Sequence, residues 1–367
     1  LRKLLVTGGA GFIGANFVRY WLQHHSADRV TVLDALTYAG NPANLADVRQ
    51  APGFRFVHAD ICATDLVEQI LREERIDTIV HFAAESHVDR SISGPDAFIE
   101  TNVVGTHSLL KAARTVWLNE KIVGSHRFHH VSTDEVYGSL GPDDPPFTEA
   151  AAHAPNSPYS ASKAASDHLV RAYHRTYGLD VTISRCSNNY GPYQFPEKLI
   201  PLVIVNILQG KSLPVYGDGK NVRDWLHVDD HCRGIDLVLR NGTAGEAYNI
   251  GGGTETENIS LVRRLCGLVE EAYAAGKLPV RTFPDAPLAR GRRAQDLIEY
   301  VEDRLGHDRR YALDYRKAQA MLGYRAEMPL DVGLSGTVDW YLRNESWWRA
   351  VIEGTYRTVP HWAERRG

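Results

Sequence analysis

A short apolar run, Leu4-Leu5-Val6-Thr7, leads directly into Gly8-Gly9-Ala10-Gly11-Phe12-Ile13-Gly14 and then an amphipathic stretch through Trp21. No other segment constrains the fold as tightly, because a buried parallel strand must turn into a helix within a few residues. Glycines at 8, 11 and 14 permit that turn and let the backbone approach a pyrophosphate, whose charge the helix N-terminus favours. A second strand, Arg29-Val30-Thr31-Val32-Leu33-Asp34, ends in an acid about 20 residues past the last glycine. A carboxylate there accepts from a ribose 2′-hydroxyl and repels a 2′-phosphate, so the pattern points to NAD rather than NADP.

The alternation continues. Phe54 to Asp60 reads as a third strand, Leu66 to Arg72 as a helix, and Thr78 to Phe82 as a fourth strand. Phe98 to Val116 reads as a long helix, Arg127 to Thr133 as a fifth strand, Pro158 to Tyr177 as a helix and Val181 to Arg185 as a sixth strand. Repeated βα units imply an α/β fold with a Rossmann-type, doubly wound parallel sheet and ligands at the strands' carboxyl ends. Residues 1–187 are therefore read as an NAD-binding domain, with a later return segment near 225–252 in which Tyr248 to Ile250 is the returning strand. Residues 188–367, punctuated by Pro192, Pro196, Pro201 and Pro214, are read mainly as a smaller C-terminal substrate-binding lobe. Its helices are expected near Leu199 to Gln209, Asp229 to Leu239 and Leu261 to Ala274, with Lys277 to Arg293 as a surface loop.

With 367 residues, 43% of them apolar, and a formal charge of −4, the chain has the composition of an ordinary globular protein. Its basic residues are interspersed with acids, which argues against a nucleic-acid surface. No apolar stretch reaches membrane-spanning length, and the chain enters a strand at once, so no signal peptide is expected. Cys62, Cys186, Cys232 and Cys266 fit neither a zinc spacing nor a disulfide framework; reduced thiols in the cytoplasm are the default. His227-Val228-Asp229-Asp230-His231 could chelate on a helix, but it reads better as a helix start with acids at the positive dipole end, and no metal is expected. His129 and His130 fall on opposite faces of a strand and cannot share an ion.

Two further runs carry chemistry. Tyr159 and Lys163, four residues apart, share a face if they open a helix. A lysine ammonium there is expected to pull the phenol pKa down towards working pH, making a base for a hydroxyl proton. Ser132-Thr133-Asp134-Glu135 ends the fifth strand and adds an acid–base pair. Adjacent Asp134 and Glu135 would diverge on an extended strand, so the backbone must turn there for both to reach one substrate. Tyr137-Gly138 permits the turn.

Together with the glycine turn, these runs resemble the extended short-chain dehydrogenase/reductase family, and within it the dTDP-glucose 4,6-dehydratases. The resemblance covers nearly the whole chain, through Thr37-Tyr38-Ala39-Gly40-Asn41, Ala83 to Ser91, Ser187 to Pro192, Pro196 to Pro201, Tyr216 to Gly219, Arg223 to His231 and Gly306 to Tyr311. It implies that Tyr159 takes the proton from the sugar 4-hydroxyl while NAD takes the hydride. Glu135 then removes the carbon-5 proton, Asp134 protonates the departing 6-hydroxyl, and the hydride returns to carbon 6; Thr133 steadies the Tyr159 transfer. It also implies that Phe12, Ile13, Asp34, Thr37, Asp60, Ile61, Phe82, Ala83, Ala84, Thr101 and Asn189 line NAD. Ser86, Asn188, Lys198, Leu199, Pro214, Tyr216, Arg223, Asn258 and the stretch Asp303 to His307 would line the nucleotide sugar. A homodimer through a bundle of the Phe98–Val116 and Pro158–Tyr177 stretches follows from the same likeness. The sequence departs from the family at Leu305, where Pro is usual, and in a longer Ala274 to Tyr300 stretch carrying Arg290, Arg292 and Arg293.

Rival activities share the scaffold. A nucleotide-sugar 4-epimerase needs Tyr159, Lys163 and NAD but no Asp134–Glu135 pair. UDP-glucuronate decarboxylases and GDP-mannose 4,6-dehydratases are disfavoured by Asp134 and Asp34, whereas UDP- and CDP-glucose 4,6-dehydratases stay open. A non-catalytic NAD-sensing protein with the same fold would have no use for the tyrosine, lysine and acid pair. Replacing Tyr159 by Phe in an activity assay separates enzyme from sensor: turnover is expected to fall about 10²- to 10⁴-fold.

Overall fold

In the computed structural model, which describes residues 1–278, 281–357 and 364–365, the chain builds a parallel sheet and a smaller lobe on its carboxyl side. Strands β1 (Lys3–Thr7), β2 (Arg29–Asp34), β3 (Phe54–His58), β4 (Thr78–His81), β5 (Arg127–Thr133) and β6 (Val181–Cys186) lie in the sheet. Three short strands of the smaller lobe follow, β7 (Asn188–Tyr190), β8 (Leu213–Tyr216) and β9 (Val222–His227), before β10 (Ala247–Ile250) rejoins the sheet. The sheet order is β10-β6-β5-β4-β1-β2-β3, with the two residues 364–365 beside β3, and every pairing is parallel. Strand order reverses between β1 and β4, so a crevice opens at their carboxyl ends.

The strands are apolar almost throughout because helices cover both faces. Phe12–His24 and Val228–Asn241 pack on one face over Val18, Trp21, Ile235 and Leu239. Thr64–Glu74, Thr106–Ala113 and Pro158–Tyr177 cover the other, over Leu71, Leu110, Trp117 and Val170. Pro158–Tyr177 has clear stop signals at both ends. Ser157 and Ser160 form a reciprocal capping box, proline occupies the first turn, and Gly178 closes it at φ 75°.

The stretch expected as one helix over Phe98 to Val116 is interrupted by wider π turns at Ile99–Gly105 and Arg114–Asn119. In the first of these, the Asn102 carbonyl accepts from Thr106 Oγ1 at 2.6 Å and Ser166 Oγ at 2.5 Å; side-chain hydroxyls that compete for a helix carbonyl loosen the ladder. The third strand ends at His58 rather than Asp60, whose carboxylate instead accepts from Cys62 N at 2.8 Å in a tight turn.

In the smaller lobe β9 lies between β7 and β11 (Glu255–Glu257), and β8 pairs with β12 (Ile298–Val301). Helices Leu199–Gln209, Asn258–Ala274, Leu330–Arg343 and Glu345–Glu353 surround a core that includes Ile204, Leu265, Tyr341 and Trp348. The stretch Lys277 to Arg293 is largely exposed and irregular, as expected, but it is anchored in the lobe's core. Leu278, Phe283 and Ala286 are buried in this core, because Phe283 stacks on Trp348 at 6.4 Å between centroids. Residues 279 and 280 lie outside the described residues. The following turn leads into β12, so the insertion contributes a strand to the lobe. No described helix is long and apolar enough to cross a membrane. Trp348→Ala is expected to lower unfolding stability by about 3–5 kcal/mol, as large-to-small changes at filled aromatic sites do, read as a lower urea midpoint.

Candidate active site

The cleft at the switch point is assembled from strand ends. Gly8 to Gly14 follow β1, Asp34 closes β2, Phe82 to Ser86 follow β4, Ser132 to Glu135 close β5, and Cys186 to Asn189 follow β6. Tyr159 and Lys163 face it from the first turns of their helix.

At one end the backbone crowds so closely that side chains have no room. A Cβ on Gly14 would lie 2.3 Å from the Gly8 carbonyl oxygen, and one on Gly8 (φ +69°) would lie 2.6 Å from Ala83 N. Helix Phe12–His24 starts at Gly11 with neither a capping side chain nor an acid in its first turn. Its free N–H groups face the cleft, as an anion requires. Asp34, fully buried, accepts from Ala10 N at 2.9 Å and Leu36 N at 2.8 Å. Burial raises its pKa, and those two N–H donors oppose the rise. These features fit a dinucleotide. Each residue expected to hold one, Gly8, Gly11, Phe12, Ile13, Gly14, Asp34, Thr37, Asp60, Ile61, Phe82, Ala83, Ala84, Thr101, Tyr159, Lys163 and Asn189, lines the cleft.

At the other end the backbone turns as the chemistry requires. Thr133 caps a one-turn 3₁₀ helix, Asp134–Tyr137, with its hydroxyl accepting from Glu135 N at 3.3 Å and donating to Asp134 Oδ1 at 3.2 Å. Gly138 at φ 92° closes the turn. Asp134 and Glu135 consequently line the same cleft as Tyr159. Burial, then the neighbouring Glu135 and Asp224 carboxylates, raise the Asp134 pKa well above the carboxylate range. Its Oδ2 has no hydrogen-bond partner among the described residues. Burial also raises Glu135, but the Lys198 and Arg223 cations oppose it. Both pKa values rise, but carboxylate neighbours add to the rise at Asp134 while cations oppose it at Glu135, pushing the two apart as paired acid and base catalysis needs.

The tyrosine departs from expectation. Its pKa is raised well above 10, first by burial and then by Glu135 and Cys186, while the hydrogen-bonded Thr133 hydroxyl lowers it. Lys163 does not offset this. Its ammonium donates to the Val131 carbonyl at 2.8 Å, and burial pushes its own pKa down to about 8, against the pull of Asp167. Spacing on the helix face brings the pair into one cleft but does not aim the ammonium at the phenol.

Ser86, Thr133, Asn188 and Lys198 also line the cleft, and Lys198 Nζ donates to the Ser86 carbonyl at 2.8 Å. Tyr216, Asp303 and His307 form a separate group beside it: His307 Nδ1 meets Asp303 Oδ1 at 2.7 Å and its ring meets Tyr216 edge-on. Arg223 donates to the Asp308 carbonyl at 2.8 Å and lies 4.3 Å over Tyr311. Three further expected contacts, like Tyr216, Arg223, Asp303 and His307, lie outside the lining of this cleft. Leu199 packs against the core of the smaller lobe, Pro214 sits within β8 beside Glu299, and Asn258 starts a helix with its N–H on the Asn221 carbonyl; none lines the cleft.

Tyr38, Cys186, Phe195 and Glu197 line it without having been singled out. Tyr38 and Glu197 lie in runs that carried the family resemblance, which was the available signal. His231 donates from Nδ1 to Asn189 Oδ1 at 2.9 Å, and His227 caps its helix by accepting from Asp229 N. Among the described residues no group of three metal-ligating side chains converges.

A family profile described as GDP-mannose 4,6 dehydratase matches residues 5–337. A dTDP-glucose 4,6-dehydratase of Shigella flexneri is 51% identical over 373 aligned residues, covering 99% of this chain and 98% of its own. The dTDP-glucose 4,6-dehydratase DesIV of Streptomyces venezuelae, solved with NAD, is 52% identical at a TM-score of 0.84, covering 95% of this chain and 99% of its own. That of Bacillus anthracis, also solved with NAD, is 44% identical at 0.82, with 96% and 100% covered.

Proton transfer by the carboxyl pair needs Glu135 ionised and Asp134 protonated. Activity should fall as pH drops through the raised Glu135 pKa and as it rises through the higher Asp134 pKa. Lys198→Met removes the foremost cation opposing the Glu135 shift, so the acid limb of the kcat profile should move to higher pH.

Proposed function

The chain belongs to the family described as GDP-mannose 4,6 dehydratase, and within it we propose that it is a dTDP-glucose 4,6-dehydratase. It converts dTDP-glucose to dTDP-4-keto-6-deoxyglucose, as an NAD-dependent hydro-lyase of deoxysugar biosynthesis. The observation that carries this reading is the Asp134–Glu135 pair on a one-turn helix, sharing a cleft with Tyr159 and Lys163. Oxidation alone, or epimerisation, needs no such pair. Relatives at about half identity over nearly their whole length carry the same activity in their names.

Bound NAD supplies a hydride acceptor for carbon 4 and a hydride donor for carbon 6, so it is regenerated in each cycle. Gly8 to Gly14 and Asp34 would hold it. Tyr159 removes the 4-hydroxyl proton, and Thr133, hydrogen-bonded to the phenol, orients it. The resulting ketone acidifies carbon 5. Glu135 takes that proton, aided by Lys198 and Arg223, which favour its carboxylate. Asp134, kept protonated by burial and its acidic neighbours, gives its proton to the departing 6-hydroxyl. Arg223 and Asn188 would face the nucleotide diphosphate, whose two negative charges suit a guanidinium and an amide, while Tyr216, Asp303 and His307 would line the rest of the nucleotide sugar.

The same reading divides the chain into an NAD-binding portion, 1–187 with the return segment 225–252, and a nucleotide-sugar portion, 188–367. It also includes a homodimer through the Phe98–Val116 and Pro158–Tyr177 stretches. Apolar residues left exposed there, Ile99 at 50%, Val104 at 41% and Tyr177 at 42%, support that pairing. Four cysteines without disulfide partners support a reducing, cytoplasmic setting.

Purified protein given dTDP-glucose in deuterated water, without added NAD, should form the 4-keto-6-deoxy product with deuterium at carbon 5 and no net NADH. Turnover of UDP- or CDP-glucose instead would change the nucleotide and keep the mechanism. Silence with all three after NAD is added would overturn the function.

A further inference from the structure

We infer that Tyr356 and Trp347 act as positioning residues for the cofactor, bracing the loop behind Asp34 from the C-terminal segment and so setting how slowly the dinucleotide escapes. The inference rests on the NAD reading above. After Asp34 the chain passes through Ala35, Thr37, Tyr38, Ala39 and Gly40, all lining the cleft. Any molecule seated between the glycine turn and Asp34 is enclosed by this loop.

The loop's own support is thin. Leu36 sits at φ +51°, a region that costs energy for a residue with a branched side chain. Within the loop, Leu36 N donates to Asp34 Oδ1 at 2.8 Å and Gly40 N to the Thr37 carbonyl at 3.2 Å. A turn of this kind needs restraint from outside to stay in one conformation.

Outside the loop, His58 Nε2 meets the Ala35 carbonyl at 3.2 Å and Arg90 lies 4.1 Å over the Tyr38 ring, and the C-terminal segment adds restraint at two further points. Tyr356 donates its hydroxyl to the Tyr38 carbonyl. The Phe195 ring lies edge-on between the two tyrosines, 5.7 Å from Tyr38 and 6.0 Å from Tyr356. Further back, Trp347 Nε1 donates to Asn44 Oδ1 at 2.8 Å, and Asn44 Nδ2 donates to the Ala10 carbonyl at 2.9 Å. Ala10 N in turn donates to Asp34 Oδ2 at 2.9 Å. The two contacts therefore reach the cofactor site from both sides of Asp34, one through the loop and one through the glycine turn. Trp347 is seated on Trp340, and its neighbour Trp348 is fully buried in the smaller lobe. The brace thus has a rigid base. For the loop to swing away, the Tyr356–Tyr38 hydrogen bond must break.

Tyr356→Phe deletes one hydroxyl and keeps the ring, and Trp347→Phe deletes the indole N–H. The protein is purified with its cofactor, and NAD loss is followed by timed gel filtration and release in acid. Each variant should lose NAD about three- to tenfold faster than the unmodified chain, the effect of one hydrogen bond. The KM for dTDP-glucose, measured with excess NAD, should stay within about twofold; a general loosening of the fold would move both. Equal NAD loss from all three proteins, or a matching rise in KM, would overturn the inference while leaving the proposed function intact. A chain that never retains NAD yet fails on every nucleotide sugar would overturn the function, and this inference with it.

Discussion

An ion pair deep in the interior, Arg185 on β6 and Asp167 on the Tyr159 helix, meets at 2.8 Å with 2% and 0% of the side chains exposed. Everything that performs chemistry hangs on it. Arg185 also donates to the Tyr137 hydroxyl at 2.8 Å, and Tyr137 to Asn249 Oδ1 at 2.9 Å. Thus the helix bearing Tyr159 and Lys163, the turn bearing Asp134 and Glu135, and the returning strand β10 share one buried network. Such a pair contributes little net stability, but losing either partner strands a charge in the interior, typically at 3–5 kcal/mol. Its effect here is geometric: the elements carrying Tyr159, Asp134 and Glu135 are tied together through it.

The same interior sets the protonation states. Burial of Asp134, Glu135, Tyr159, Lys163 and Lys198 disfavours the charged form of each. What separates their roles is the sign of the nearest neighbour. Asp134 faces Glu135 and Asp224, whereas Glu135 faces Lys198 and Arg223. Burial lowers the Lys163 pKa to about 8, with Asp167 supporting its charge.

Much of this was legible in the residues. Local signals delimit Arg127–Thr133, Pro158–Tyr177 and Leu199–Gln209 to the residue, because turn glycines, prolines and capping serines act over a few positions. The turn after Thr133 followed from the need for two adjacent carboxyls to face one substrate. Less legible was anything requiring an unknown neighbour. The first π turn involves Ser166 reaching Asn102 from another helix, and the buried anchoring of Phe283 involves Trp348, sixty-odd positions along the chain. The expected lowering of the Tyr159 pKa failed for a related reason: helical spacing says which face a lysine is on but not that Val131 will claim its ammonium.

Determined by the sequence alone were the parallel α/β architecture, the glycine turn with its acid, and the presence of side chains chemically able to move protons. Those are properties of short segments: periodicity, backbone freedom and the intrinsic chemistry of side chains. Tertiary structure alone decided which carboxyl stays protonated, where Lys163 points, and that Tyr356 closes on Tyr38 across most of the chain's length. Those depend on desolvation and on Coulombic and hydrogen-bond contacts between distant segments, which come into being only when the chain is folded.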